Sequence, residues 1–127
     1  MLRHLLPIAA IVLAASAPSA FAADAAAGKD LYSDNCAICH GNKGEGYDKS
    51  VVPDGAVRIK KLAGDSAYWD FAVFKAAVVN GTDDHGRPMR VMPVFGKVGL
   101  YEPPGQMLTD DDVGNIQAYI QTLAPKG

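Results

Sequence analysis

Only two cysteines, one tryptophan and three histidines occur among the 127 residues of this chain, and these shortages narrow its chemistry. Both cysteines, Cys36 and Cys39, sit in one local segment, so no disulfide can cross-link distant parts of the fold. No second cysteine or histidine pair follows at metal-ligand spacing. There is no excess of positive charge and no basic stripe: 12 basic side chains stand against 14 acidic ones. Nothing therefore points to nucleic acid or an anionic membrane surface. The alternation that marks half-buried strands is missing outside short loop pieces. No internal repeat is visible, and no low-complexity tract extends beyond the alanine-rich start. What is present, 49% hydrophobic and 20% charged residues, is the composition of one globular domain.

The front end reads as an export signal. Arg3 supplies a positive start, Leu5 to Ala15 an apolar stretch, and Ala20-Phe21-Ala22 a small-x-small cleavage pattern, which predicts a cut after Ala22. The apolar stretch is 11 residues long and contains Pro7, whereas a membrane-spanning helix needs about 20. Residues 1–22 are thus read as a cleaved signal peptide and 23–127 as a single periplasmic domain. Loss of Arg3 makes the formal charge one unit more negative than −2. A core drawn from so short a chain, without cross-links, needs another stabiliser, and a large buried cofactor would serve.

The pattern along the mature chain is all-α. A first helix is expected from Ala25 to the cysteines with Asp24 as N-cap, placing Gly28, Leu31, Tyr32 and Asn35 on one face. Gly28 costs about 1 kcal/mol relative to alanine in a helix, which suggests a close crossing with another helix. Gly41 to Gly55 reads as loop, a short helical turn is possible near Val57 to Leu62, and a second helix is expected from Ser66 to Val79, stopped by Asn80-Gly81. From Thr82 to Met107 four prolines prevent regular helix, while the apolar residues of that stretch argue that it covers a buried surface. The last helix is the best marked. Thr109 caps it, Thr109-x-x-Asp112 resembles a capping box, and Val113, Ile116, Ile120 and Leu123 form its buried stripe before Pro125.

Two cysteines three positions apart can bind zinc, shuttle a disulfide or carry a haem. Structural zinc needs four ligands, and after export the only histidine besides His40 is His85. A thioredoxin-like pair belongs at a helix N-terminus in a β/α context, not at the C-terminal end of a helix in an all-helical pattern. Cys36-Ala37-Ile38-Cys39-His40 instead completes the c-type haem attachment signature, with two thiols for thioether bonds and a histidine for the iron.

With that motif in place the mature chain resembles the class I cytochromes c. The likeness runs through "GKDLYSDNCAICHG", "VMPVFG" and "LTDDDVGNIQAYIQTL", which together span nearly all of it. The resemblance implies one covalently bound haem c in a cleft of a small all-α fold whose first and last helices cross, with Gly28 and Tyr32 meeting Tyr119 and its neighbours. It implies Cys36 and Cys39 as thioether residues, and His40 and Met92 as axial ligands, since Met92 opens the family's Met-Pro-x-Phe-Gly loop. Met89 is the rival methionine, followed by His85 or an open iron; Met107 reads as a core filler. Pro53 matches the family position whose carbonyl orients His40. Tyr47, Arg58, Tyr68 and Trp69 are candidates for the propionates, although Tyr68 and Trp69 equally suit a core. Lys43, Lys49, Arg58, Lys60 and Lys61 could ring the haem edge or simply be solvated. "KVGLYEPPGQML" departs from the smallest members by its length.

A haem closed by His and Met has no room for substrate, so the expected role is a one-electron carrier and not an enzyme. The expected partners are transient redox proteins: a dehydrogenase or quinol-oxidising complex as donor and a terminal oxidase or other cytochrome as acceptor. A dedicated haem subunit bound to a dehydrogenase catalytic subunit is the alternative. An open-iron enzyme or gas sensor is more distant.

Overall fold

The computed structural model describes residues 22–47 and 59–124. Residues 1–21 of the expected signal peptide, and Lys49, Pro53, Arg58 and Pro125, lie outside the described residues. Among the described residues the regular elements are helical, and extended pairing is confined to two isolated bridges, Tyr47 with Ile59 and Thr82 with Pro88.

Helix α1 spans Ala25–Asn35. It starts where the sequence places its cap, for the Asp24 carboxylate accepts the N–H groups of Ala26 and Ala27 at 2.9 and 3.2 Å. A four-residue helix, α2 (Ala37–His40), follows at once and carries the second cysteine and the histidine. Gly41 then turns the chain away at φ 82°, a left-handed value that suits glycine.

The helix expected over Ser66–Val79 is divided. A 3-10 turn covers Asp65–Tyr68, Trp69 is extended, and Asp70 begins a new helix by accepting the Ala72 N–H at 2.9 Å. That helix, α3 (Phe71–Lys75), ends in a π turn over Ala76–Asn80 and stops at Gly81, φ 67°. No helical turn forms over the described part of the Val57–Leu62 stretch; Ile59 pairs with Tyr47 instead. One helical turn, α4 (Phe95–Val98), fits between Pro93 and Pro103.

Helix α5 spans Asp110–Leu123 and carries the complete capping box: Asp112 N–H donates to Thr109 Oγ1 at 3.1 Å, and Thr109 N–H donates to the Asp112 carboxylate at 2.9 Å. Its Val113, Ile116 and Ile120 are almost fully buried. Helices α1 and α5 cross where Gly28 faces the backbone of Asn115 and Ile116; a side chain on residue 28 would overlap it. One turn further along, the rings of Tyr32 and Tyr119 meet at 5.4 Å. Asn115 also accepts the Asp24 N–H at 2.7 Å, which fixes the start of α1 on α5. Gln117 and Gln121 donate to the carbonyls of Ala67 and Trp69, tying the 3-10 turn to α5. The core of Tyr32, Ala67, Phe74, Val78, Phe95, Leu100, Val113, Ile116 and Ile120 thus joins all the long elements around one hollow.

Candidate functional site

The hollow is a cavity of about 350 Å³, within the range of cofactor sites. One wall is the end of α1 with α2, contributing Cys36, Cys39 and His40. Phe74, Ala77 and Val78 of α3 and its π turn, with Ile116 and Ile120 of α5, give it an apolar lining. The segment before α4 and its first residue supply Met89, Met92, Pro93 and Phe95, and Trp69, Lys60 and Tyr101 stand among the remaining residues. Helix periodicity explains the thiol wall. Cys36 and Cys39 lie three apart and His40 four from Cys36, so all three reach one side.

His40 is buried, and its Nδ1 lies 2.9 Å from the Lys60 carbonyl oxygen. A carbonyl only accepts, so Nδ1 carries the hydrogen and Nε2 keeps its lone pair for a metal. Among the described residues it is the Lys60 carbonyl that meets Nδ1, while Pro53, expected in this role, lies outside them. Burial pulls the His40 pKa below the usual histidine value, and the bond to Lys60 opposes this in part. The neutral, metal-binding form is favoured. Burial pushes the Cys36 thiol up to about 12, with the neighbouring Cys39 adding to the rise. Cys36 thus stays protonated and is a poor partner for thiolate–disulfide exchange. Tyr32, fully buried, donates from its hydroxyl to the Gly41 carbonyl at 2.6 Å; burial raises its pKa well above the usual tyrosine range, so it remains a neutral donor that ties α1 to the turn after His40.

Met92 is partly buried and packs against the core. Met89 lines the cavity too, with its backbone N–H bonded to the Gly81 carbonyl at 2.7 Å. The other candidates separate. Trp69 and Lys60 line the cavity, with the Lys60 ammonium 4.4 Å from the Trp69 ring centroid. Tyr68 turns its hydroxyl toward the Gln121 carbonyl of α5, 3.4 Å away, and suits the core reading. Tyr47, Lys43 and Lys61 are exposed and are not part of the lining, nor is His85, which pairs with Asp84 in an exposed turn. Met107 is 49% exposed and fills no core, because the chain before α5 runs over the surface. Asn35 and Tyr101 are lining residues whose role sequence reasoning missed. The available signal was a polar asparagine on the otherwise apolar, inward face of α1.

The donor set fits a c-type haem: two thiols, one imidazole with its lone pair free, two thioethers and an apolar lining share a single cavity. The sequence profile of the cytochrome c family matches residues 25–124. Among curated proteins, cytochrome c6 of Picosynechococcus sp. is 34% identical over 97% of this chain and 96% of its own length.

The chain belongs to the cytochrome c family.

Two further relatives agree. Cytochrome c-554(547) of Halothiobacillus neapolitanus is 34% identical over 80% of this chain and 99% of its own length. Cytochrome c6 of Thermosynechococcus vestitus is 28% identical over 94% and 88%. No solved structure gives a significant match. This class I cytochrome is a monohaem electron carrier with one covalently bound haem c, and it is not an enzyme. Among the described residues no helix is long and apolar enough to cross a membrane.

Proposed function

We propose that Cys36 and Cys39 hold the haem by thioether bonds, that His40 and Met92 are its axial ligands, and that the protein carries single electrons in the periplasm. The observation that carries this reading is the convergence of all four side chains on one apolar cavity, with the His40 tautomer already set by Lys60. Met92 is favoured over Met89 because its side chain packs against the buried core. Haem iron held by imidazole and thioether supplies one-electron transfer at a raised potential.

The residues of the chain have distinct tasks in this scheme. Cys36 and Cys39 would hold the group as thioethers, a linkage that addition of a thiol S–H across a vinyl double bond would supply without an oxidant. The Lys60 carbonyl keeps His40 in one orientation and one tautomer. Phe74, Val78, Ile116 and Ile120 exclude water from the cavity, which holds polar reorganisation down. Trp69 and Lys60 suit the propionate side. Donor and acceptor are a dehydrogenase or quinol-oxidising complex and a terminal oxidase or other cytochrome, met in transient, charge-steered encounters. Export with cleavage after Ala22 delivers the chain to the compartment where such partners work.

The test uses holoprotein made in a host competent in cytochrome maturation. Denaturation and acid extraction are expected to leave the pigment on the chain, and the ferric protein is expected to show the weak red thioether-to-iron band. Met92→Ala abolishes that band and Met89→Ala keeps it. Freely released pigment, or carbon monoxide binding to the reduced protein at neutral pH, would remove the reading.

A further inference from the structure

The long link between α4 and α5 is a closed loop anchored at both walls of the cavity. It is shut by its own backbone: Leu100 N–H donates to the Gln106 carbonyl at 2.8 Å and Gly105 N–H to the Leu100 carbonyl at 2.8 Å. Gly99 and Gly105 approach so closely that a side chain on residue 99 would meet the Gly105 backbone. Leu100, 3% exposed, roots the loop in the core.

Its second attachment is polar and comes from far away in sequence. The Asn35 Oδ1 accepts the N–H groups of Tyr101 and Glu102 at 2.8 and 3.0 Å, and its Nδ2 donates to the carbonyls of Glu102 and Leu31 at 2.9 and 3.1 Å. All four hydrogen-bonding positions of the carboxamide are used, and the residue is 3% exposed. Three of the four bonds go to the loop; only one serves α1. A buried amide satisfied in this way stabilises the arrangement that satisfies it and penalises any that does not.

Tyr101 completes the bridge. Its ring meets Phe95 edge-on, 5.9 Å between centroids, and Phe95 lies three residues beyond Met92. Asn35 precedes Cys36. The loop therefore spans from the thiol wall to the methionine wall, and Asn35, Tyr101 and Phe95 all line the cavity. The methionine segment has no long helix of its own to hold it, and a thioether on a flexible side chain is easily displaced. Segments with few fixed contacts open locally without global unfolding.

We propose that the loop from Gly99 to Met107 is a strap bracing the methionine segment, and that Asn35 and Tyr101 are positioning residues that keep Met92 on the iron and outside ligands off it. This rests on Met92 being the axial ligand. In the absence of the strap the methionine side swings open more often, and small nitrogenous ligands reach the iron through that opening.

Imidazole binding to the ferric holoprotein, followed by loss of the red band, tests this in the parent, Asn35→Ala and Tyr101→Ala proteins across sub-denaturing urea. Binding is expected to speed up about two- to tenfold in Tyr101→Ala, the factor that accompanies loss of one aromatic contact, and about tenfold or more in Asn35→Ala, which loses three hydrogen bonds to the loop. The urea dependence should be shallow, as for a local opening. Failure of either variant to accelerate, or acceleration only with the steep urea slope of global unfolding, overturns the strap and leaves Met92 in place. Should Asn35→Ala not mature, Tyr101→Ala decides alone, since that side chain is 52% exposed and its removal leaves the core intact. A Met92→Ala protein that keeps its red band removes the ligand assignment and the strap with it, and this shows before any imidazole is added.

Discussion

Lys60 acts on the site twice over: its carbonyl oxygen takes the Nδ1 hydrogen of His40 at 2.9 Å, while its ammonium lies 4.4 Å from the centroid of the Trp69 ring. The first contact belongs to the backbone and the second to the side chain, so mutation can separate them.

Lys60→Met leaves the carbonyl and the His40 tautomer as they are, and removes a positive charge beside the cavity. Loss of an exposed cation–π contact costs about 0.5–1 kcal/mol. With less positive charge near the iron the ferric state becomes easier to reach, so the reduction potential falls. Denaturant unfolding and a spectroelectrochemical titration measure the two effects. Because Lys60 is exposed, the shift in potential should shrink as salt is raised. A rise in potential would contradict this placement.

Gly28→Ala sets two opposed effects against each other. Alanine gains about 1 kcal/mol in helix propensity. Its Cβ, however, would overlap the carbonyl and neighbouring backbone atoms of Asn115, and these belong to a helix interior that cannot yield locally. Overpacking of this kind costs about 1–3 kcal/mol, occasionally more, and backbone obstruction lies at the upper end. The expected net loss is about 1–2 kcal/mol, seen as a lower denaturation midpoint with an unchanged denaturant slope. A more stable variant would show that α1 and α5 do not cross as closely as Gly28 and Asn115 indicate.

Which features were legible in the sequence follows from how local their causes are. Asp24, Thr109 and Asp112 cap the helices they precede, Gly28 marks the crossing, and Cys36, Cys39 and His40 reach one wall by helical spacing alone. The break at Trp69 and Asp70 was hidden because apolar residues on both sides of it give a continuous stripe, although Asp70 had the chemistry of a cap. The Lys60 carbonyl has no side-chain signature, since any residue type can offer a carbonyl, and its contact with His40 is fixed only by how the intervening loop returns. Met107 carried an apolar signal that the surface path of its loop leaves unused. Asn35 was placed on the correct face, yet its partners lie 66 and 67 residues away, beyond any local pattern.

The turn from Asp83 to Arg87 leads directly into Pro88 and Met89, and its charge state can be followed by pH. Asp83 accepts the backbone N–H groups of Arg87 and His85 at 2.8 and 2.9 Å and the Arg87 Nε at 2.7 Å. These bonds, the Arg87 N–H foremost, hold its carboxyl below the usual aspartate range. The unfolded chain therefore takes up the proton first as pH falls, at about 3.9. Stability from this group is full above that value and is lost as pH drops through the lower folded value. An NMR titration of the holoprotein should place the Asp83 midpoint below that of ordinary aspartates. Arg87→Gln removes the guanidinium but keeps the backbone N–H, so the midpoint should rise only part of the way. A complete return to the ordinary value would mean that the ion pair, and not the backbone of the turn, fixes the charge on this side of the cavity.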